Sequence, residues 1–291
     1  MLHRFILHND SIREASEQVL SAGQVGLLSG WGVFTTIRVT EGIPFAFERH
    51  WARLNRDATA LHVPIPSNAE AVRRGLLELI EANQAYHSTL RLVFVRNGGG
   101  IWASATPDRP TDLIALTADS KQWGTSVKLA YVKQARHAAC EFAGTKILSW
   151  AMNLTWLESA QARGFDEVIL LNEHGEVAEC TSANLFVANG GQVWTPPLHS
   201  GCLPGITREV LLREIHVSGI RITEKTLMPA DLESADGVFI TSTTRNLLAV
   251  AQIEERKLGR AERTLQMLQE AFGEFVNRYV AEQRASVAGS R

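Results

Sequence analysis

The sequence predicts an α/β (α+β) protein of two domains, and three observations carry that expectation. The chain has 291 residues, 45% of them hydrophobic, which exceeds the length at which a single core usually stops growing. Short β-branched and aromatic runs alternate with segments of helical apolar spacing along most of it. A polar, glycine-containing stretch, Ala118-Asp-Ser-Lys-Gln-Trp-Gly-Thr125, interrupts that pattern. An N-terminal domain is therefore expected over 1–118, a linker over 119–125 and a second domain over 126–291.

Taken in order, Gly32–Thr40 (GVFTTIRVT) reads as a strand, turned at Glu41–Pro44 towards Phe45-Ala-Phe47 as a hairpin. ERHWARLNRDATALHV then places apolar residues at 51, 54, 58 and 61 with arginines between them, as an amphipathic helix would, and Ala69–Asn83 repeats the pattern. Thr89–Val95 is a buried strand stopped by Arg96-Asn-Gly-Gly-Gly100, followed by a Pro-containing loop and the strand Thr111–Thr117. Beyond the linker a helix ends near Arg163, and two strands, Glu167–Asn172 and Glu176–Cys180, flank the tight-turn residues Asn172–Gly175. Asn184–Thr195 is a further hairpin, Ile206–Ile215 a helix, Gly237–Thr244 a strand ending in hydroxyl side chains, and Ala261–Gln283 a long terminal helix.

Bulk properties exclude several classes. A formal net charge of -2 with no dense Lys/Arg run argues against nucleic acid as a partner. The N-terminus lacks a secretory apolar core, and no segment approaches 18 apolar residues, so a cytoplasmic protein without a membrane segment is expected. Three widely spaced cysteines without a C-x-x-C pair and nine scattered histidines give no metal site. There is no G-x-S-x-G, phosphate-loop, H-E-x-x-H or G-x-G-x-x-G pattern.

What remains centres on Lys146, set after Gly144-Thr145 and before Ile147-Leu148-Ser149-Trp150. A lysine there ordinarily lays its stem on apolar surface with the ammonium in water. Desolvation would instead make the amine nucleophilic. Glu179 ends a strand before the small, polar run Cys180–Asn184, where a carboxylate can pair with a protonated ring nitrogen; alone it reads as a strand-end charge. Leu203-Pro204-Gly205-Ile206-Thr207 opens a helix and Thr241–Thr244 closes a strand, two candidate anion cups, each more often a plain cap or turn. Arg53 can offer a bidentate charge to the same phosphate, although a solvated arginine is the default.

Together, Glu179-Cys-Thr-Ser-Ala-Asn184-Leu-Phe186, Val193-Trp-Thr195 and Leu203-Pro-Gly-Ile-Thr-Arg208 resemble the signature of the class IV aminotransferases, the fold-type IV pyridoxal-phosphate enzymes. Gly32-Val-Phe34, His50-x-x-Arg53-Leu54, Lys146 and Thr241–Thr244 fall in the same order. The resemblance implies a smaller N-terminal α/β domain, a larger C-terminal domain with a β-barrel-like core, pyridoxal 5'-phosphate as cofactor, and a homodimer. It implies that Lys146 forms a Schiff base and moves the substrate proton, and that Glu179 holds the ring nitrogen. Arg53, Ile206, Thr207 and Thr243 would bind the phosphate with Ser242 close by, and Leu203 would pack on the ring.

Within the family the pattern is mixed. The Leu203–Arg208 block resembles branched-chain aminotransferases. Ser242-Thr243-Thr244 and Arg96 resemble D-amino-acid aminotransferases, and Phe34–Arg38 with Glu179-Cys180 resembles aminodeoxychorismate lyases, which release pyruvate. Arg91 and Arg96, an odd separation apart on one strand, point to opposite faces. Arg96, at the strand end, is taken as the substrate residue, with Phe34, Trp150 and Thr244 completing the pocket. An apolar wall of Phe34 and Trp150 favours a branched-chain or other hydrophobic amino acid, with 2-oxoglutarate as acceptor. A cofactor-free binding module on the same fold is the non-enzymatic alternative.

Overall fold

Alternation along the strand Gly32–Thr40 decides how the first sheet is built. Val33, Ile37 and Val39 enter a core beneath two helices, while Phe34 turns to the other face, the period-2 pleat expected of a strand. The computed structural model describes residues 1–100, 109–259 and 261–289, so the expected Pro-containing loop lies, through residue 108, outside the described residues. Two compact units emerge. One comprises Met1–Lys121, Lys146–Trp150 and Arg278–Arg291, the other Gln122–Thr145 and Ala151–Asn277.

The first unit contains β1 (Leu2–His8), β2 (Ser11–Glu14), α1 (Val25–Ser29), β3 (Gly32–Thr40), β4 (Ile43–Pro44), α2 (Phe47–Ala60), α3 (Ala69–Ala82), β5 (Ser88–Arg96) and β6 (Thr111–Asp119). Its six strands form an antiparallel sheet in the order β2-β1-β6-β5-β3-β4. Leu54 and Ala58 of α2 and Val72, Leu76, Leu79 and Ile80 of α3 pack on one sheet face with Leu90, Leu92 and Phe94 of β5. Asn68 caps α3, its Oδ1 accepting from the Ala71 N–H at 3.0 Å. The hairpin expected to reach Phe45-Ala-Phe47 is shorter. The Phe45 N–H still donates to the Arg38 carbonyl at 2.8 Å, but Ala46, at φ 52°, turns the chain into α2.

Lys146–Trp150, expected within the C-terminal domain, packs with the first unit. Ile147 bridges Val33, the Phe34 N–H donates to the Lys146 carbonyl at 3.1 Å, and the Leu148 N–H donates to the Gly32 carbonyl at 3.0 Å. The segment thus extends the β3 edge.

The second unit contains β7 (Ser126–Arg136), α4 (Ala151–Ala162), β8 (Glu167–Asn172), β9 (Val177–Cys180), β10 (Asn184–Asn189), β11 (Gln192–Thr195), α5 (Ile206–Arg213), β12 (Arg221–Glu224), α6 (Pro229–Glu233), β13 (Gly237–Ser242), β14 (Asn246–Ile253), β15 (Arg256–Lys257) and the start of α7 (Glu262–Gly289). Its nine-stranded sheet runs β12-β11-β10-β13-β14-β7-β8-β9, with β15 beside β14. Pairing is mixed: β11/β12, β14/β7 and β7/β8 are parallel. Both sheets curl as half-barrels, and the core of this one runs from Val127 and Leu129 through Ile169, Leu185 and Val238 to Val250. No helix among the described residues is long and apolar enough to cross a membrane.

Candidate active site

Pleating puts Lys146 where its amine meets aromatic surface. Lys146 and Leu148 lie on the Phe34 side of the strand edge, and Leu148 packs with Phe34, Val93 and Val95. Lys146 Nζ sits 4.5 Å from the Phe34 ring centroid and 5.9 Å from that of Trp150, and the two rings meet edge to face at 6.1 Å. The lysine backbone is fixed as well, its N–H donating to Asp57 Oδ2 at 3.1 Å. Asp57 is fully buried, and its Oδ1 accepts from Arg56 Nε at 2.9 Å.

His50, Arg53 and Asp57 recur at helical spacing along α2 as a buried polar stripe. Arg53 Nη2 donates to Thr35 Oγ1 at 2.9 Å, and Thr35 Oγ1 lies 2.7 Å from His50 Nδ1. The His50 imidazole is pushed well below its ordinary value, by burial first and by the Arg53 and Lys146 charges next. It is therefore a neutral ring inside a cationic neighbourhood.

The arginines of β5 separate to opposite faces, and Arg91 rather than Arg96 shares a face with Phe34. Arg96 points to the helix side, where Nε donates to the Gly98 carbonyl at 2.8 Å, Nη1 to the His62 carbonyl at 2.7 Å, and the guanidinium stacks 3.9 Å from the Trp31 ring centroid. Nε and Nη1 are thus engaged in closing the strand end. Arg91 lies on the Phe34 face, 4.0 Å from that ring centroid. Arg38, also half-buried, is diagonal to it on the same face, since Arg38 pairs with Thr89 and Thr36 with Arg91. Burial lowers the pKa of both, a measure of how weakly either guanidinium is solvated.

In the second unit, Glu179 and the α5 N-terminus are joined by one short rail. Glu179 Oε1 accepts from Arg136 Nε at 3.0 Å and Oε2 from the Leu203 N–H at 3.0 Å. The Leu203 carbonyl accepts from Asn184 Nδ2 and from the Gly205 N–H, both at 2.8 Å. Gly205 is the N-cap of α5 and provides no side-chain cap, so the first-turn N–H groups, Ile206 and Thr207 among them, have no intrahelical acceptor. A Cβ at Gly205 would meet Asn184 Oδ1 at 2.0 Å, which explains the glycine. Asn184 pairs with Thr241, whose buried Oγ1 has no hydrogen-bond partner among the described residues. Ser242 ends β13 and Thr243 and Thr244 open the turn that follows, with Ser242 Oγ 3.4 Å from Thr244 Oγ1.

This donor set fits a phosphorylated pyridine. The uncapped helix start and the hydroxyls of Thr207, Ser242 and Thr243 suit a dianion, and a buried carboxylate held ready by Arg136 and a backbone N–H suits a ring nitrogen. Sequence reasoning missed Arg136, Asn153 and Asp57. Arg136 donates from Nη1 and Nη2 to Asn153 Oδ1, both at 3.3 Å, and Asn153 Nδ2 donates to the Thr181 carbonyl at 3.0 Å. Arg136 closes a strand rich in lysine and glutamine, and no local pattern marks it.

Known proteins agree with this chemistry. The chain is 29% identical over 258 residues to a D-alanine aminotransferase of Bacillus licheniformis, covering 87% of this chain and 90% of that one. It is 26% identical over 258 residues to the branched-chain-amino-acid aminotransferase of Salmonella typhimurium, with 84% and 83% covered. The fold matches a hypothetical aminotransferase from Mycobacterium tuberculosis in its PLP-bound form at a TM-score of 0.81 and 23% identity, over 92% of this chain and 98% of that one. The sequence model of the family Amino-transferase class IV spans residues 32–253, from the first residue of β3 to the last of β14, and the chain accordingly belongs to the class IV aminotransferases, enzymes that use pyridoxal phosphate.

Proposed function

We propose that the chain moves an amino group between an amino acid with an apolar side chain, branched or similar, and a 2-oxo acid such as 2-oxoglutarate. The observation that carries this reading is the Lys146 amine held against Phe34 and Trp150, with Arg91 on the same sheet face. Pyridoxal phosphate, when bound, supplies the electron sink for bond breaking at the substrate's α-carbon. Arg53, the N–H of Ile206, Thr207, Ser242 and Thr243 would hold its phosphate, Glu179 would keep its ring nitrogen protonated, and Leu203 would cover the ring.

Lys146 Nζ takes the proton from the substrate α-carbon and passes it to the cofactor, a task that suits an amine set against aromatic faces with its backbone tethered to Asp57. Arg91, with Arg38 beside it, binds a substrate carboxylate; a guanidinium short of water gains most from an anion. Phe34 and Trp150 exclude water and accept the aliphatic side chain, and Thr244 borders the pocket. Relatives named for branched-chain and for D-alanine transfer leave the stereochemistry to measurement.

The test is a half-reaction screen in which L- and D-amino acids are added singly and the cofactor absorbance is followed. Turnover with valine, leucine or isoleucine is expected; glutamate or aspartate as the only effective donors overturns the apolar assignment. A second reading, aminodeoxychorismate lyase, draws on the pairing of two half-buried arginines, which a dicarboxylate would also satisfy. Pyruvate release from aminodeoxychorismate, measured by a coupled assay, separates the two. The family resemblance further supports a homodimer, which light scattering on the eluting protein measures.

A further inference from the structure

The second unit buries a charge pair that none of the roles above uses. Glu167, at the first position of β8, has a fully buried side chain, and Arg245, in the β13–β14 turn, is 6% exposed. Glu167 Oε2 accepts from Arg245 Nη2 at 3.1 Å and from Ser182 Oγ at 2.7 Å. Its Oε1 accepts from the Val168 N–H at 3.0 Å, the Thr181 N–H at 3.2 Å and the Thr181 hydroxyl. Arg245 Nη1 donates to Ser182 Oγ at 2.9 Å and to the Ser182 carbonyl at 3.3 Å, and the guanidinium lies 4.1 Å from the Trp123 ring centroid.

A buried ion pair contributes little net stability over an apolar replacement, so its retention calls for a positional reason. Here the reason is what the two ends carry. Thr181 and Ser182 directly follow Glu179 and Cys180, and the Thr181 carbonyl is tied through Asn153 to Arg136, the partner of Glu179. Arg245 directly follows Ser242, Thr243 and Thr244, and its N–H donates to Ser242 Oγ at 3.2 Å. The fork therefore clamps the segment after Glu179 to the hydroxyl turn.

We propose that Glu167 and Arg245, bridged by Ser182, are positioning residues that fix the Ser242–Thr244 turn against the Glu179 strand end and so set the protein's affinity for the phosphate of its cofactor. The inference rests on the cofactor reading above. Neither residue touches the cofactor. Each acts through the turn or strand it holds.

The test titrates full-length apoprotein with pyridoxal phosphate and, separately, with pyridoxal, which shares the ring and aldehyde but lacks the phosphate. Arg245→Lys keeps the charge and loses the planar fork; Ser182→Ala removes only the bridging hydroxyl. At metal sites, loss of a residue that orients a ligand weakens binding about tenfold or more, and the same scale applies to a residue that orients the phosphate-binding turn. Arg245→Lys should raise the Kd for pyridoxal phosphate by about that factor while pyridoxal shifts by less than about threefold, and Ser182→Ala should move in the same direction. Should Arg245→Lys fail to fold, Ser182→Ala decides alone. Equal weakening of both ligands, or of neither, overturns the proposal, because a role in general stability would not discriminate between them. Wild-type apoprotein that binds neither ligand removes the cofactor reading and this inference with it, whereas tight wild-type binding with indifferent variants removes this inference alone.

Discussion

Replacing each β5 arginine by methionine should produce opposite patterns of stability and activity. Arg96 makes two hydrogen bonds to backbone carbonyls, at 2.8 and 2.7 Å, and stacks on Trp31. Hydrogen bonds to charged groups contribute about 1.5–3 kcal/mol each at most, and solvent reaching this residue reduces that, so Arg96→Met should destabilise the fold by about 2 kcal/mol. Arg91 makes one cation–π contact, at 4.0 Å to Phe34, of about 0.5–2 kcal/mol. Relief of guanidinium burial offsets it, so Arg91→Met should leave stability within about 1 kcal/mol of wild type.

Kinetics should move the other way. A bidentate guanidinium–carboxylate contact of about 3–4 kcal/mol in the transition state corresponds to about two to three decades in kcat/KM. Arg91→Met should lose that much with the preferred amino acid, and Arg96→Met less than about fivefold. Urea unfolding and steady-state kinetics on the two variants supply the four numbers. Kinetic loss confined to Arg96→Met, with Arg91→Met active, would refute the face assignment and return the substrate carboxylate to the strand end.

Three further outcomes are expected. Gly205→Ala, at φ -67°, meets no backbone strain but drives its Cβ onto Asn184 and breaks the Asn184–Leu203 hydrogen bond; it should cost about 1–3 kcal/mol in urea unfolding, a loss that shrinks in an Asn184→Ala background. His50 is held neutral in the fold, below its unfolded value, so its contribution is complete above about pH 6.5 and declines by about 1.4 kcal/mol per pH unit below it. The difference in pH-dependent stability between wild type and His50→Gln isolates that slope, and identical profiles would contradict it. Cys140 is exposed, Cys180 lies buried and well above its ordinary value, and burial pushes Cys202 up to about 11. A thiol reagent at pH 8 should therefore modify one cysteine quickly in native protein and all three in denaturant.

Local chemistry made much of this legible in the sequence. The helices α2 and α3 and the strand β5 follow from apolar periodicity. Lys146, Glu179 and the Leu203–Thr207 opening of α5 follow from charges and turn residues set in apolar context. The parity of Arg91 and Arg96 was legible too, but not which face the helices cover, because residues 92–95 are buried on both sides. That choice is made by α2 and α3, far away in sequence. β7 was hidden by lysines and a glutamine at its exposed or half-buried positions. Arg136, Asp57, Glu167 and Arg245 gain meaning from partners 43, 89, 14 and 63 residues away, distances at which a single sequence carries no pairing signal.

The central claim is that Lys146 is the residue that joins the cofactor. Borohydride reduction of protein reconstituted with pyridoxal phosphate, followed by peptide mapping by mass spectrometry, tests it directly. The account predicts one pyridoxyl group per chain, on the peptide containing Lys146, and none in Lys146→Ala. A label on any other lysine, or retained at full stoichiometry in that variant, would contradict it.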